Sequence, residues 1–406
     1  LPSPIRVIRG RLMITLDNSI NKLGDGKIVS LDSGEVAFKL AAFDKNPIVK
    51  PQDVGLTWYE NGGLRIGAIF NGGAEVFQDK IILMPRCHQN YKEGTFFDET
   101  IGIERSCLED YVSEIWPLVS SDGIHFTRFN DMVICANGTD HQDFVYGIED
   151  IRIIKCNSKY LLVGCGKTKP PFKGSNADRI VIYSTDDFTT ITYHGMIESF
   201  DSRNAIPFPE PVNGQQYMLF RFHPNIHLDS LEAGQDQLLN PSSHKERWER
   251  IYIQRNQNLL LEAGYYPHEK EKIGPGTQVI KTNMGWLLIY HAVGVINDSI
   301  CKIYGLEHGI KRGYSICAAL LDTKNPRKVL CRTQNPIYIP SAPYELDGDV
   351  RYSVDVPAVV FPVGAVVHQD KLILYAGAGD KYIILLSCRL DDLVGYLWEY
   401  CKYNSR

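Results

Sequence analysis

Residues 151–164 read Ile-Arg-Ile-Ile-Lys-Cys-Asn-Ser-Lys-Tyr-Leu-Leu-Val-Gly, two apolar runs separated by a short polar turn. Runs rich in β-branched and aromatic residues that are bounded by turn formers indicate strands, and so short a turn joins them as an antiparallel hairpin. The pattern recurs around turns at 77–80, 212–215, 282–285 and 368–371. Hairpins in place of strand–helix–strand units exclude a doubly wound parallel sheet as the main body.

The hairpins belong to a weak internal repeat that includes a Ser/Thr-x-Asp turn, clearest at 120–126 and 184–188. In such a turn the Asp side chain accepts hydrogen bonds from backbone N–H groups just beyond it, and the following aromatic side chain packs inward. Repeated hairpins over 406 residues predict an all-β chain that forms one five-bladed β-propeller domain over residues 1–406. A β-sandwich and a β-helix are the alternatives.

Three segments depart from the repeat. The long, charged side chains of 228–264 favour helix, and Asn-Pro-Ser-Ser from Asn240 is typical of a helix start, so we expect a helical insertion. Such an insertion would serve as a lid, as a contact in a homo-oligomer or as surface decoration. Residues 91–109 are a second polar insertion, expected to be a long loop over the same face, and residues 391–406 form a C-terminal tail.

Composition narrows the function classes. The formal net charge of -5 argues against a nucleic-acid partner, which requires a concentrated basic surface. No apolar run approaches the roughly 20 residues that span a bilayer, and the start of the chain shows no signal segment, so no membrane partner is expected. The ten cysteines have no CxxC spacing, which predicts reduced thiols in a cytoplasmic protein. The eleven histidines form no HExxH motif, so we expect no metal and no cofactor.

Two motifs could present polar groups at strand ends. Glu149, Asp150 and Arg152 directly precede an apolar strand, where neighbouring charge and burial would shift the pKa of a carboxyl group. Asn71 lies among glycines that allow close backbone approach, and Arg86 follows one hairpin later. Taken alone, both motifs are equally compatible with ordinary solvated turns and surface ion pairs.

Two further motifs are basic or aromatic. Arg203 precedes a strand in which Arg221 is embedded among aromatic residues. A guanidinium group removed from water requires an anion, either a phosphate or an internal carboxylate such as Asp201 or Glu210. Trp286 opens the fourth motif, whose aromatic residues could stack on sugar rings or simply pack in the core.

Taken in order, these motifs resemble glycoside hydrolase family 130, the mannoside phosphorylases and mannosidases, over roughly residues 35 to 390. The resemblance rests on the ordered set: Asn71 and Arg86, Ser120 to Phe126, Glu149-Asp150-x-Arg152, Arg203 to Glu210, Arg221, Lys272-Ile-Gly, Trp286 to His291, Ala319-Leu-Leu-Asp322, Asp355-Val-Pro and Gly377-Ala-Gly-Asp380. The sequence departs from the family at three positions, where Ile151, Asn204 and Ala292 replace the usual Pro, Asp and Gly.

The resemblance implies a five-bladed propeller with its site in the central funnel, and inverting phosphorolysis of a β-mannoside oligosaccharide with inorganic phosphate as co-substrate. It implies that Asp150 is the general acid, acting through a substrate hydroxyl. The implied sugar-binding residues are Asn71, Arg86, Asp122, Tyr146, Glu149 and Asp380. The implied phosphate-binding residues are Arg203, Arg221, His227, His291 and Tyr314.

Two other functions stay open. An inverting phosphorylase requires one protein carboxyl group, because phosphate itself attacks the anomeric carbon, whereas an inverting hydrolase requires a second carboxylate to activate water. Glu210, Glu109 and Asp110 are candidates for that base in a β-mannosidase. Retention of Arg203 and Arg221 favours phosphorolysis. The remaining alternative is a non-catalytic sugar-binding propeller.

Overall fold

The apolar runs form strands, which dominate the chain. The computed structural model describes residues 16, 19–98, 102–135, 144–156, 159–169, 178–347 and 357–402. Within these ranges the strands are β1 (Lys27–Ser30), β2 (Val36–Lys39), β3 (Ala41–Ala42), β4 (Thr57–Glu60), β5 (Gly63–Ile66), β6 (Ala68–Phe77), β7 (Lys80–His88), β8 (Lys92–Asp98), β9 (Ile103–Glu109), β10 (Glu114–Ile115), β11 (Leu118–Ser120), β12 (Thr127–Arg128), β13 (Ile148–Cys156), β14 (Lys159–Lys167), β15 (Asp178–Thr185), β16 (Thr192–Ile197), β17 (Arg203–Pro207), β18 (Gln216–Phe222), β19 (Asn225–Leu231), β20 (Leu259–Leu261), β21 (Lys272–Pro275), β22 (Ile280–Lys281), β23 (Trp286–Ile296), β24 (Ile310–Leu321), β25 (Val329–Arg332), β26 (Val360–His368), β27 (Lys371–Ala378) and β28 (Tyr382–Arg389). The α-helices are α1 (Gln235–Leu239), α2 (Lys245–Ile253), α3 (Asp298–Ile303), α4 (Pro343–Leu346) and α5 (Leu390–Tyr400). The Asp355-Val-Pro motif begins outside the described residues. The last four residues of the tail also lie outside them.

Five antiparallel sheets of four or five strands follow one another along the chain, numbered here sheet 1 to sheet 5. They contain β6, β7 and β10–β12; β13–β16; β17–β20; β21–β25; and β26–β28 with β3. Consecutive sheets are in contact, and β26 of sheet 5 also contacts β6 of sheet 1. Strand β3 pairs with β28, with Ala41 opposite Ser387, so that residues from both ends of the chain complete sheet 5. The prediction of a mostly β chain built from antiparallel hairpins is confirmed.

The core lies between the sheets rather than in one central layer. Ile82 and Met84 of sheet 1 share a buried cluster with Ile153 and Leu162 of sheet 2. Comparable clusters join sheet 2 to sheet 3 and sheet 3 to sheet 4. The inner strands of the sheets, such as β13, β14 and β23, therefore bury apolar side chains on both faces, which explains why their sequences read as nearly continuous apolar runs.

The Ser/Thr-x-Asp turns have the predicted geometry. Asp122 accepts hydrogen bonds from the backbone N–H groups of Ile124 (2.9 Å) and His125 (2.8 Å). In the second copy, Asp187 accepts from the backbone N–H groups of Thr189 and Thr190, both at 2.8 Å. The aromatic residue of each turn, Phe126 or Phe188, is buried.

The predicted insertions are partly wrong. Residues 228–231 and 259–261 belong to strands β19 and β20, so only the residues between these strands form the helical segment, which contains α1 and α2. A 3-10 turn begins at Pro241 and α2 at Lys245, close to the predicted helix start. The segment 91–109, predicted as a loop, contains the hairpin β8–β9. Alternating polar side chains concealed this hairpin, because its strands bury little on either face.

The C-terminal segment is a packed helix rather than a tail. Helix α5 buries Leu393, Val394, Tyr396 and Leu397, and it contacts β2, β24, β25 and β28. Among the helices of the described ranges, none combines the length and apolarity needed to cross a membrane.

A buried ion pair fastens β25 to the loop that precedes sheet 4. Arg332 donates to Glu269 at 2.7 and 3.2 Å, Tyr290 donates to the same carboxylate at 2.7 Å, and both charged side chains are fully buried. Burial raises the pKa of Glu269, and the neighbouring Arg332 guanidinium opposes that rise. Removing one member of such a pair leaves an uncompensated charge in the interior.

We therefore predict that Arg332→Met lowers the free energy of unfolding by about 3–5 kcal/mol at neutral pH, measured by urea denaturation. The loss should be smaller at acidic pH, where Glu269 takes up a proton and no unpaired charge remains. Arg389→Gln is the matched control, because its pairs with Asp370 and Asp392 are about half exposed. Equal unfolding midpoints for the two variants would contradict this account.

Candidate active site

Three strands carry the same bulge at the same end. In β6, β13 and β17 two residues oppose one residue of the partner strand, and the first of the two is Asn71, Asp150 or Asn204. Their φ angles are 54°, 52° and 59°. Asn and Asp tolerate this left-handed conformation better than other non-glycine residues, and a bulge re-aims the side chain away from the regular pleat. The Asn71 amide donates to the Asp150 carboxylate at 3.0 Å, so two of these side chains meet.

A buried cluster of opposite charges surrounds Asp150. Arg86 pairs with Glu149 at 2.9 Å and lies 3.8 Å from Asp150. Arg203 pairs with Glu149 and lies 3.4 Å from Asp150. Burial opposes ionisation of Asp150, but the three neighbouring arginines, Arg203 first, hold the pKa of its carboxyl below its usual value. The structure thus brings together Arg86, Glu149, Asp150 and Arg203, which come from three separate motifs of the sequence.

Arg152 lies beneath this cluster and is almost completely buried. Its guanidinium donates to the backbone carbonyl of Asp150 (2.7 Å), the side-chain oxygen of Asn204 (3.0 Å) and the carbonyl of Gly276 (3.0 Å). Burial lowers the pKa of Arg152 to about 10, so the group remains charged at neutral pH. One side chain therefore ties the bulges of sheets 2 and 3 to the segment that follows β21.

Two charged residues that the sequence analysis missed extend the cluster. Lys167 ends β14 and pairs with Asp178, which begins β15; both side chains are less than a tenth exposed. Asp178 also lies 3.7 Å from Arg203. The guanidinium of Arg203 is therefore bordered by carboxylates on two edges. Charged residues at the very ends of apolar strands were the available signal, but only the structure shows that these ends adjoin Arg203.

Arg221 is a cation of a different kind. Among the described residues no carboxylate pairs with it, and its buried Nε has no hydrogen-bond partner. Burial and the neighbouring charge of Arg203 lower the pKa of Arg221 to about 10. Its position depends on Gly274, since an alanine methyl there would lie 2.6 Å from the Cδ atom of Arg221.

His291, Tyr314 and Lys272 surround Arg221. The ring centroid of His291 lies 6.3 Å from that of Tyr314, and Lys272 Nζ lies 5.2 Å from the Tyr314 ring. Burial, with the charges of Arg221 and Lys272, keeps the pKa of His291 far below its usual value, so the ring is neutral. Neither ring nitrogen has a partner among the described residues. In the sequence, Lys272 stands out only as part of the Lys272-Ile-Gly motif; the structure adds it to this basic group.

Asp380 approaches the cluster from the turn after β27. Burial, together with the negative charges of Asp150 and Glu149, raises the pKa of Asp380 to about 7, although Arg86 and Arg203 oppose the rise. Its side chain is partly exposed. Asp380 can therefore hold a proton near neutral pH, whereas the neighbouring Asp150 cannot.

An aromatic stack connects Arg86 to the hairpin β8–β9. Arg86 donates to His88 Nε2 at 2.7 Å, and the His88 ring stacks on Tyr111 with centroids 3.7 Å apart. Tyr111 in turn packs edge-on against Tyr91, which precedes β8 at the same open end of the hairpin. Since the pKa of His88 lies well below its usual value through burial, the ring is neutral and can accept from Arg86. Support of Arg86 by this insertion could not be predicted from local sequence patterns.

Other predicted site residues lie elsewhere. The Asp122 carboxylate is occupied within its own turn, where hydrogen bonds to His125 and the backbone lower its pKa to about 2. His227 packs against Phe222, and the charged neighbour that helps lower its pKa to about 4 is Arg255 of the helical segment. Glu210 pairs with Lys281 at the surface.

Tyr146 lies beside the cluster, whereas the candidate bases Glu109 and Asp110 do not. The Tyr146 backbone N–H donates to the carbonyl of Lys167, so this residue borders the cluster at the start of β13. Glu109 and Asp110 are exposed at the end of the hairpin β8–β9.

The sequence profile of a family described as beta-1,4-mannooligosaccharide phosphorylase matches residues 43–399. The chain belongs to glycoside hydrolase family 130. It is 27% identical over 332 residues to a 1,2-beta-oligomannan phosphorylase of Thermoanaerobacter sp. (strain X514), which covers 78% of this chain and 97% of the relative. It is 32% identical over 280 residues to a beta-1,2-mannobiose phosphorylase of the same organism, covering 67% of this chain and 76% of the relative.

Solved structures of the family share the fold. The chain superposes on the beta-1,2-mannobiose phosphorylase from Listeria innocua, solved with beta-1,2-mannobiose, with a TM-score of 0.63 and 22% identity over 88% of this chain and 99% of that one. A structure from work on family members that are glycoside hydrolases targeting beta-1,2 mannosidic linkages gives a TM-score of 0.62 at 18% identity, covering 86% of this chain and 93% of that one. Phosphorylases and hydrolases thus share this architecture, and only the site residues can separate them.

The pKa of Asp380 generates a prediction on stability. Because the folded state keeps the Asp380 proton up to about pH 7 while the unfolded chain loses it near pH 4, this group makes the protein less stable as pH rises between these values. We expect Asp380→Asn, which mimics the protonated form, to gain stability relative to the parent protein between pH 5 and pH 8 in urea denaturation. Asp187→Asn is the control, because the pKa of Asp187 is lowered to about 2 and it stays ionised throughout. A stability difference for Asp380→Asn that does not change with pH would show that this carboxyl titrates normally.

Proposed function

We propose that this protein catalyses the inverting phosphorolysis of β-mannosides, in which inorganic phosphate releases mannose 1-phosphate from a manno-oligosaccharide. The observation that carries the proposal is Arg221, a half-buried guanidinium close to the cluster around Asp150. Its Nε atom is buried without a hydrogen-bond partner, and no carboxylate among the described residues pairs with it. A desolvated guanidinium is stabilised by an oxyanion, and phosphate offers bidentate acceptors. The phosphorylase relatives support the same reaction.

The reaction requires a proton donor, which the protein supplies, and a nucleophile, which is the bound phosphate. A phosphate oxygen attacks the anomeric carbon of the mannosyl unit from one face while the bond to the leaving-group oxygen breaks on the other. Asp150 supplies the proton to the leaving oxygen, by way of a substrate hydroxyl. Phosphate contributes the nucleophile, so the protein needs no second carboxylate to activate water.

The basic group around Arg221 and the cluster around Asp150 would bind different substrates. Arg221, Lys272, His291 and Tyr314 would hold phosphate, with Arg203 between phosphate and the acid. The sugar hydroxyls would contact Asn71, Arg86, Tyr146, Glu149 and Asp380, whose carboxylate and amide groups combine acceptors with donors. Asp122 and His227 remain predicted ligands of sugar and phosphate, and the contacts described above give each of them a local partner. No cofactor is required, and phosphate is the co-substrate.

Hydrolysis of the mannoside is the second candidate function, because family members that are glycoside hydrolases share the fold. Within the described part of the cluster, Glu149, Asp150 and Asp178 all pair with arginine or lysine. A carboxylate held by cations is a weak base. Asp380 is the remaining candidate for activating water, and it would need to lose its proton first.

The architecture is part of the proposal. We infer that the five sheets are the five blades of one propeller domain spanning residues 1–406, since consecutive sheets touch and sheet 5 touches sheet 1. The inner strands β6, β13 and β17 would then carry their bulges at the central funnel. The ten unpaired cysteines support a reducing, cytoplasmic environment. A homo-oligomer remains a prediction.

Removing the unpaired guanidinium tests the phosphate site. We expect Arg221→Gln to raise the KM for phosphate at least tenfold while the KM for the manno-oligosaccharide changes less than twofold, because a charge-assisted bond to an anion is lost and no sugar contact is touched. Release of mannose 1-phosphate is measured over a range of phosphate concentrations. Arg389→Gln, remote from the site, serves as control. Turnover by the parent protein in phosphate-free buffer would establish hydrolysis instead.

Removing the acid tests catalysis itself. We expect Asp150→Asn to lower kcat by about 10²–10⁴-fold with oligosaccharide binding retained, because general acid catalysis contributes roughly that factor. Initial rates and calorimetric binding of mannobiose are the measurements. Asp187→Asn changes a turn aspartate outside the cluster and should leave kcat unaltered. Sugar binding by a parent protein that shows no turnover would favour the non-catalytic alternative.

A further inference from the structure

A polar cavity of about 220 Å³ lies between the helical segment and the outer strands of sheet 3, among residues that the proposed reaction does not use. Strand β19, helices α1 and α2 and the loop before β25 contribute its walls. The side chains that matter are Asp229, Glu232, Gln237, Arg247, Arg250 and Arg327.

One wall of the cavity is a closed hydrogen-bond network. Arg327 donates to Asp229 at 2.9 Å and to Asn258 at 2.8 Å, and Asn258 donates to Asp229 at 2.6 Å. The positive and negative charges of this wall cancel, and its groups satisfy one another. This wall bounds the cavity but adds no net charge to it.

Two arginines and one carboxylate line the opposite wall, and the His244–Asp236 pair lies behind Arg247. Arg250 pairs with Glu232 at 2.6 Å, and Arg247 reaches the same carboxylate at 3.5 Å. Two guanidinium groups thus share one carboxylate, and between a third and a half of each side chain is exposed. Arg247 also bonds to the His244 ring at 2.9 Å. With five N–H groups per guanidinium, the two arginines still have more donors than Glu232 and His244 can accept from.

The floor of the cavity adds an unpartnered donor. Gln237 is fully buried in α1, and its side-chain oxygen accepts from the backbone N–H of Ala233 at 3.4 Å. Its amide nitrogen is buried without a hydrogen-bond partner among the described residues. A buried amide donor left unpaired is costly, which indicates that an acceptor occupies this place in the functional molecule.

We propose that this cavity binds a small phosphate monoester, of the size of a phosphorylated monosaccharide. Its surplus of arginine and amide donors fits the three acceptor oxygens of a phosphate group. The volume accommodates one small molecule and not an oligosaccharide. No aromatic side chain lines the described walls, so a neutral sugar would lack the stacking surface that sugar sites usually offer. The helical segment thereby gains a ligand-binding function separate from the site around Asp150.

The test is isothermal titration calorimetry on the full chain, with mannose 1-phosphate and inorganic phosphate as separate probes. Arg221→Gln is used as the background, so that the proposed catalytic phosphate site does not mask the second one. We expect binding of mannose 1-phosphate in this background, at least tenfold weaker after the further change Arg250→Gln or Gln237→Leu. Arg389→Gln in the same background should leave the affinity unchanged.

The outcomes separate this proposal from the proposed reaction. Binding that survives Arg221→Gln and falls with Arg250→Gln supports the cavity even if the protein proves to hydrolyse its substrate. Inorganic phosphate binding as tightly as mannose 1-phosphate would overturn the assignment of a monoester in favour of the free anion. Absence of binding in the Arg221→Gln background, or affinity that Arg250→Gln and Gln237→Leu leave unchanged in folded protein, would refute the site.

Discussion

The Arg152 guanidinium holds the ends of three sheets at one point, and the geometry of the cluster depends on it. A charged side chain that is almost completely buried must have its donors satisfied, and here the acceptors are the Asp150 carbonyl, the Asn204 side chain and the Gly276 carbonyl. Those acceptors are available only because β13 and β17 are bulged at this level. The bulges turn Asp150 away from the pleat, and Asn71 on the bulge of β6 then fixes its carboxylate. The bulged backbone, the buried Arg152 guanidinium and the position of the Asp150 carboxyl group therefore depend on one another.

The charges around Asp150 raise a chemical difficulty. Asp150 is the proposed general acid, and a general acid must carry a proton when the substrate is bound, yet Arg203 and Arg86 hold the pKa of this carboxyl below its usual value. Bound phosphate would change this balance, because its negative charge would pair with Arg221 and Arg203 and weaken their pull on the carboxyl group. A sugar ring would also exclude water from the cluster and so favour the neutral acid. Binding of both substrates would thus prepare the acid.

The parts of the fold that depend on local sequence were predictable. Hairpins and Ser/Thr-x-Asp turns are set by neighbouring residues, so apolar runs and turn formers identify them. The prediction of one common site for Arg86, Glu149, Asp150 and Arg203 rested on the order of the motifs and its resemblance to a family. No single motif was enough to predict it. The pair of Lys167 with Asp178 and the support of Arg86 by His88 and Tyr111 were missed, because they depend on which strand ends and hairpins become neighbours. The hairpin β8–β9 was taken for a loop, since strands that bury little show no apolar alternation.

The difference between Arg203 and Arg221 bears on the choice between phosphorolysis and hydrolysis. Arg203 is bordered by Glu149, Asp150 and Asp178, so its charge is largely balanced within the protein. Arg221 is half-buried near the charge of Arg203 and lacks such a partner among the described residues, an arrangement that costs free energy unless an anion binds. A hydrolase would gain nothing from retaining that cost, because water carries no charge to offset it. A phosphorylase recovers the cost each time phosphate enters, and the same unpaired charge then holds the nucleophile beside the acid.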